Sequence, residues 1–149
     1  MKLLLGKLVE QIKNNVDYLN DSGYYCRDTF ELVQLNRYPF FNVIPTPTNT
    51  IEVSSPTGIS NKDIERHIYN VTIQFATRSL VINTALMGDD VKKIKGLFDV
   101  WADIWKAIKI DRTVSGTVSG LLPASTINFD VAQDTIDKYY IAVGEVNLK

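Results

Sequence analysis

One cysteine and one histidine are all this chain has of the residues that build thiolate metal clusters and nucleophile–base pairs. With Cys26 alone, an intrachain disulfide is excluded and no zinc cluster can be assembled from thiolates. With His67 alone, a multi-histidine metal site and most catalytic triads are excluded. Charge of one sign is scarce too: 16 Lys and Arg stand against 17 Asp and Glu, a net charge of −1. A protein that grips phosphate backbones carries a basic surplus, so that class is disfavoured. A nearly neutral surface instead permits close association between copies. Long apolar runs are also missing. Leu3, Leu4 and Leu5 are cut off by Gly6 and Lys7, short of the roughly 7–15 residues of a signal-peptide core. Nothing approaches the ~20 residues of a membrane span. The expectation is a soluble protein, used where it is made. Neither GxxxxGK[ST] nor GxGxxG occurs, and Gly116 and Gly120 follow a predicted helix instead of opening one, so no phosphate cradle is expected.

What is present is ordinary globular material, 45% apolar and 22% charged over 149 residues. That length suits one domain, residues 1–149, burying about 68–70% of its unfolded surface. The dominant stretch is DVKKIKGLFDVWADIWKAIKI, about 90–110. Val91, Ile94, Leu97, Phe98, Trp101, Ile104, Trp105 and Ile108 recur there at steps of three and four, one stripe of a long helix, with Asp89 or Asp90 as its N-cap. Leu5, Leu8, Val9, Ile12, Val16 and Leu19 give a first amphipathic helix over about 3–19. Between them lie a short strand near 30–35 and the proline-bounded run PFFNVIP, a strand or sheet edge. Next come a turn at 45–49, a partner strand at 50–54 that completes a hairpin, and a polar loop over 55–63. Residues 66–77 alternate as a half-buried strand, 80–87 read as helix or strand, and 111–126 as a flexible loop or hairpin. Strands near 126–131 and 138–148 end the chain. Without strand–helix–strand alternation, the expected fold is α+β: a mostly antiparallel sheet packed by the N-terminal helix and the long central helix.

Chemistry finds little support. A Cys26–His67 nucleophile pair lacks an orienting group or oxyanion signature nearby. Asp99 and Asp103, four apart on a helix, fall short of the oxygen ligands a hard cation needs, and Lys95, Lys106 and Lys109 make a solvated mixed-charge face the alternative. Trp101 and Trp105 are core residues or interface anchors in preference to a base-stacking platform. No cofactor, no metal and no enzymatic activity are expected.

Taken together, the opening helix, the run Arg37-Tyr38-Pro39-Phe40-Phe41-Asn42-Val43-Ile44-Pro45, the strand 66–75, the helix 91–110 with Asp111 at its exit and the final strand 137–148 resemble the tail terminator (tail completion) proteins of long-tailed bacteriophages. The resemblance implies a virion structural protein at the tail–neck junction, made in the host cytoplasm. It would be a ring, commonly a hexamer, that caps the tail tube and joins it to the head-side connector, with passive contact to DNA in the lumen and none to a membrane. The candidate axial contacts are Ser55, Thr57, Ser60 and Asn61 in the polar loop, and Thr113, Ser115, Thr117 and Ser119 after the helix; ordinary solvent loops are the alternative reading. An edge strand at 40–44 is a candidate for pairing between subunits. Residues 20–36 and 78–90 exceed what a minimal member needs, which leaves room for another neck, connector or minor tail protein. A non-viral module that docks partners by strand addition is the remaining alternative.

Overall fold

The computed structural model describes residues 1–34, 37–46, 50–54, 64–134 and 136–149, with the backbone alone described at 29–30, 50–54 and 64–67. The elements run α1 (Lys2–Asn15), a 3₁₀ turn (Asp17–Leu19), β1 (Gly23–Tyr25), α2 (Thr29–Gln34), β2 (Phe40–Pro45), β3 (Thr50–Ser54), β4 (Ile64–Ile68), β5 (Val71–Ser79), α3 (Ile82–Met87), α4 (Leu97–Ile110), β6 (Asn128–Gln133) and β7 (Tyr140–Leu148). Five strands form one sheet in the order β1-β2-β5-β7-β6, antiparallel except for the short β1–β2 pair, and β3 and β4 form a second, two-stranded one. The fold is α+β.

The core lies between one face of the large sheet and the helices α1 and α4. Residues of one parity in β2, β5 and β7 supply the floor: Phe41, Val43, Val71, Ile73, Phe75, Ala142, Val146 and Leu148 are all buried. Leu8 and Ile12 of α1 and Leu97, Val100, Ile104 and Ile108 of α4 close it from above, as stripes at steps of three and four must when they meet an apolar surface. Phe75 stacks on Trp101 at 5.7 Å between centroids, and Trp101 on Trp105 at 6.1 Å, so both tryptophans belong to the margin of this core. The opposite face is thinly covered: Leu32 of α2 meets Phe40 and Ala76 there in a small separate cluster.

Several expected boundaries shift. The central helix starts at Leu97, not near 90. Val91 is 93% exposed, and Asp89 and Ile94 form an antiparallel bridge that turns the chain before the helix begins. Asp89 still accepts N–H groups, from Val91 and Lys92, but it caps this turn. The helix is capped at Gly96, whose N–H donates to the Asp99 carboxylate at 3.1 Å. The first helix ends at Asn15, because Val16 is extended and the following turn is 3₁₀. Residues 29–34 are helix instead of strand, and 80–87 resolve as α3 after an extended start.

Strand pairing also differs. β2 pairs with β5 and β3 with β4, so the expected hairpin of 40–44 with 50–54 does not form. The segment 66–77 divides at Tyr69 and Asn70 into β4 and β5. Together the four strands make one interrupted hairpin: the Thr46 N–H still donates to the Asn70 carbonyl at 2.9 Å in the β2–β5 register, and the pairing resumes shifted at Thr50 opposite Ile68. The strand at 40–44 is therefore interior. Its inner side pairs with β5, and on its outer side the Phe41 N–H donates to Ser22 and the Val43 carbonyl accepts from Cys26.

Candidate assembly surface

The predicted contact residues separate into two groups. Ser55, Thr57, Ser60 and Asn61 lie outside the described residues. The other four sit in a segment wound tightly around Asp111, not in a flexible loop. The Asp111 carboxylate accepts the Thr113 N–H at 2.9 Å, the Thr113 hydroxyl, and the Ser115 N–H at 2.8 Å. These bonds, led by the Thr113 hydroxyl, hold its carboxyl below the usual carboxylate range. Val114, at φ 50°, is buried in the core and pins the turn from inside. Thr113 and Thr117 have hydroxyls engaged in this turn, Thr117 donating to the Val114 carbonyl at 2.9 Å; Ser115 and Ser119 face solvent. Gln11 of α1 donates to the carbonyls of Ala107 and Asp111 at 2.9 and 3.0 Å, satisfying the end of α4 just before the turn.

Among the described residues, those weighed for chemistry are not gathered into a site. Cys26 is exposed at φ 54°, and the His67 side chain lies outside the described atoms. Asp99 caps α4, whereas Asp103 accepts the Tyr18 hydroxyl at 2.6 Å and faces Lys95 at 3.3 Å and Lys106 at 3.7 Å. The two carboxylates thus serve different partners. Burial, and then the bond to Asp103, push the Tyr18 hydroxyl well above its ordinary value. Burial also acts to raise Asp103, but the Tyr18 hydrogen bond and the two lysines outweigh it and hold the carboxyl below the usual range. Among the described residues no group of three or more His, Cys, Asp or Glu could hold a metal ion, and no helix is long and apolar enough to cross a membrane.

Two surfaces have the character of contacts. One is the apolar run from the end of β5 along α3 and into the turn after it, where Leu80, Val81, Ile82, Met87 and Val91 are all exposed. The other is β6, which borders the sheet beyond β7. The Asp134 N–H donates to the Tyr139 carbonyl at 2.8 Å. In an antiparallel ladder that places the even-numbered residues of β6 in bonds to β7 and turns the N–H and C=O groups of Phe129, Val131 and Gln133 outward. Phe98 of α4 meets Phe129 edge-on at 5.5 Å and steadies this strand from the core side. On the other face an open trough of about 430 Å³ runs along β6 and β7, floored by Ala132, Ile141 and Val143 and walled by Val33. The strand itself was legible near 126–131; its place at the edge was not, although a charged Asp130 within a short strand is a sequence sign of an edge.

No protein-family model matches this chain, and no curated protein matches it.

Proposed function

We propose that this protein is a ring-forming structural subunit of a long-tailed bacteriophage virion: a tail terminator that caps the tail tube and meets the head-side connector. Its action is geometric. One face of the ring receives the last tube subunits, the other presents a different surface to the neck, and polymerisation stops because the two faces differ. The observation that carries the reading is the pairing of a layered core with a sheet whose β6 border, among the described residues, is joined by no further strand of its own chain. A subunit that repeats around an axis needs unlike, complementary surfaces on its two flanks, and a nearly neutral net charge keeps self-repulsion low. The apolar run around α3 is a second surface suited to a permanent neighbour.

Electron microscopy of the purified protein, alone and mixed with tail tubes, tests the proposal. Closed sixfold rings that sit at one end of each tube and halt its growth are expected. Tubes that lengthen unchecked, with no protein at their ends, would overturn it. The unpaired β6 border also favours a second reading, a module that docks a partner's strand outside any virion, for which the same preparation would show no rings and no tube binding.

A further inference from the structure

The β6 edge is plugged by its own side chain. The Val131 N–H, which points away from β7, donates to the Asp130 carboxylate at 2.8 Å. The central donor of the edge is thereby withheld from strand addition, and a charge stands beside it, two of the devices by which soluble proteins keep a sheet from extending. A second feature lies at the far end of the interrupted hairpin that begins with β2 and β5. Among the described residues β3 and β4 pair only with each other, in five-residue strands, as an arm that continues β2 and β5 beyond the point where β7 ends opposite Val71. A two-stranded ribbon is marginal alone and gains stability from a third strand.

We infer that the β3–β4 arm of one copy adds to the β6 edge of the next, displacing the Asp130 carboxylate from the Val131 N–H. This rests on reading the chain as a self-assembling subunit and specifies the contact. The lengths agree: five-residue arm strands face a six-residue edge. The other border of the sheet, β1, has three residues, of which only Gly23 and Tyr25 turn their backbone groups outward. Within one chain the arm leads away from its own β6, with β7 between them. Arm and edge are different surfaces, so the contact is heterologous and closes into a ring when the rotation between copies allows it.

The test uses the full chain, followed by sedimentation from micromolar to millimolar concentration. Val131→Pro removes an N–H that takes no part in the β7 ladder, so the fold survives while the edge loses its donor; Val131→Ala, which keeps the N–H, controls for the lost side chain. Expected results are self-association of the native chain and of V131A, a monomeric V131P with unchanged circular dichroism, and association of Asp130→Ala tighter by about threefold or more, since one bond to a charged acceptor no longer has to be broken. Val53→Pro in the arm should also be monomeric, yet a mixture of V131P and V53P should form a heterodimer, because each supplies the surface the other lacks. Association of V131P equal to that of V131A, a mixture that stays monomeric, or a native chain and D130A both monomeric throughout would each overturn the contact. Rings that persist in V131P would refute this contact while leaving the terminator proposal standing; V131-dependent association without rings would do the reverse.

Discussion

Gly96 has the closest backbone approach of the described glycines, and a single methyl group there tests the crossing of α3 and α4. Its φ of −86° is open to any residue, so the obstacle to Gly96→Ala is steric alone. A Cβ at this position would lie 2.1 Å from the Gly88 nitrogen, 2.5 Å from the Met87 carbonyl carbon and 2.6 Å from the Leu86 oxygen. All three are backbone atoms, so no rotamer change relieves the overlap and the two helix ends have to part. Overpacking costs about 1–3 kcal/mol, and an overlap with rigid backbone belongs at the upper end, about 3 kcal/mol. In a chain of this length 1 kcal/mol moves Tm by roughly 2–4 °C, so G96A should melt about 6–12 °C lower. Because α4 carries Phe98, which holds Phe129 of β6, the change should also loosen the β6 edge. Guanidinium unfolding followed by circular dichroism and tryptophan fluorescence measures the loss. Gly6→Ala is the control: it lies within α1 with nothing inside 4 Å of the added carbon, and it should stabilise by about 0.5–1 kcal/mol. A G96A protein within about 0.5 kcal/mol of the native chain, the range of an unconstrained surface change, would refute the backbone-to-backbone crossing.

Tyr18→Phe removes the hydroxyl bonded to Asp103 and should cost about 1–2 kcal/mol at neutral pH by urea unfolding. Asp103 has a folded value below its unfolded one, so its contribution is complete above the unfolded carboxylate value of about 4 and fades as pH falls through the lower folded value. The native-minus-Y18F difference should therefore shrink on acidification; a constant gap down to the acid transition would show that the carboxylate is not the partner. Asp111→Ala should open the 112–120 turn, read as faster tryptic cleavage after Arg112, and unchanged cleavage would mean that Val114 alone holds it. Cys26→Ala, at an exposed thiol, should leave stability within about 0.5 kcal/mol and assembly unaltered, whereas loss of function at an unchanged fold would revive the nucleophile reading.

The core was legible because its signal is periodic. The stripe of α1 buries the side chains that its spacing selects, and so does the inward parity of β5 from Val71 to Phe75; in α4 the selected Leu97, Ile104 and Ile108 are buried, whereas Phe98, Trp101 and Trp105 are half-buried at its margin and Val100 and Ala107 join the core instead. What periodicity could not reveal is where a regular pattern stops being regular structure. Val91 and Ile94 keep step with the helix yet belong to a turn, since Gly88 and Gly96 allow two backbones to touch there and fix the true start at Leu97. Residues 29–34 fill under two turns and bury Leu32 on the thin side of the sheet, too short a record to distinguish helix from strand. Strand partners depend on contacts distant in sequence: Phe41 opposite Phe75 and Val43 opposite Ile73 draw β2 to β5, leaving 50–54 to find β4. Among the candidate contacts, Asp111 announced its turn only through the Thr and Ser residues after it, and the β6 edge emerges only from the strand order.

A reconstruction of the purified assembly by electron microscopy is the most direct test of the claim that this chain works by fitting beside its own copies. The expected result is a closed ring of identical subunits, each β6 covered by the arm of its neighbour. Particles no larger than a single chain at every concentration, with β6 uncovered, would contradict it.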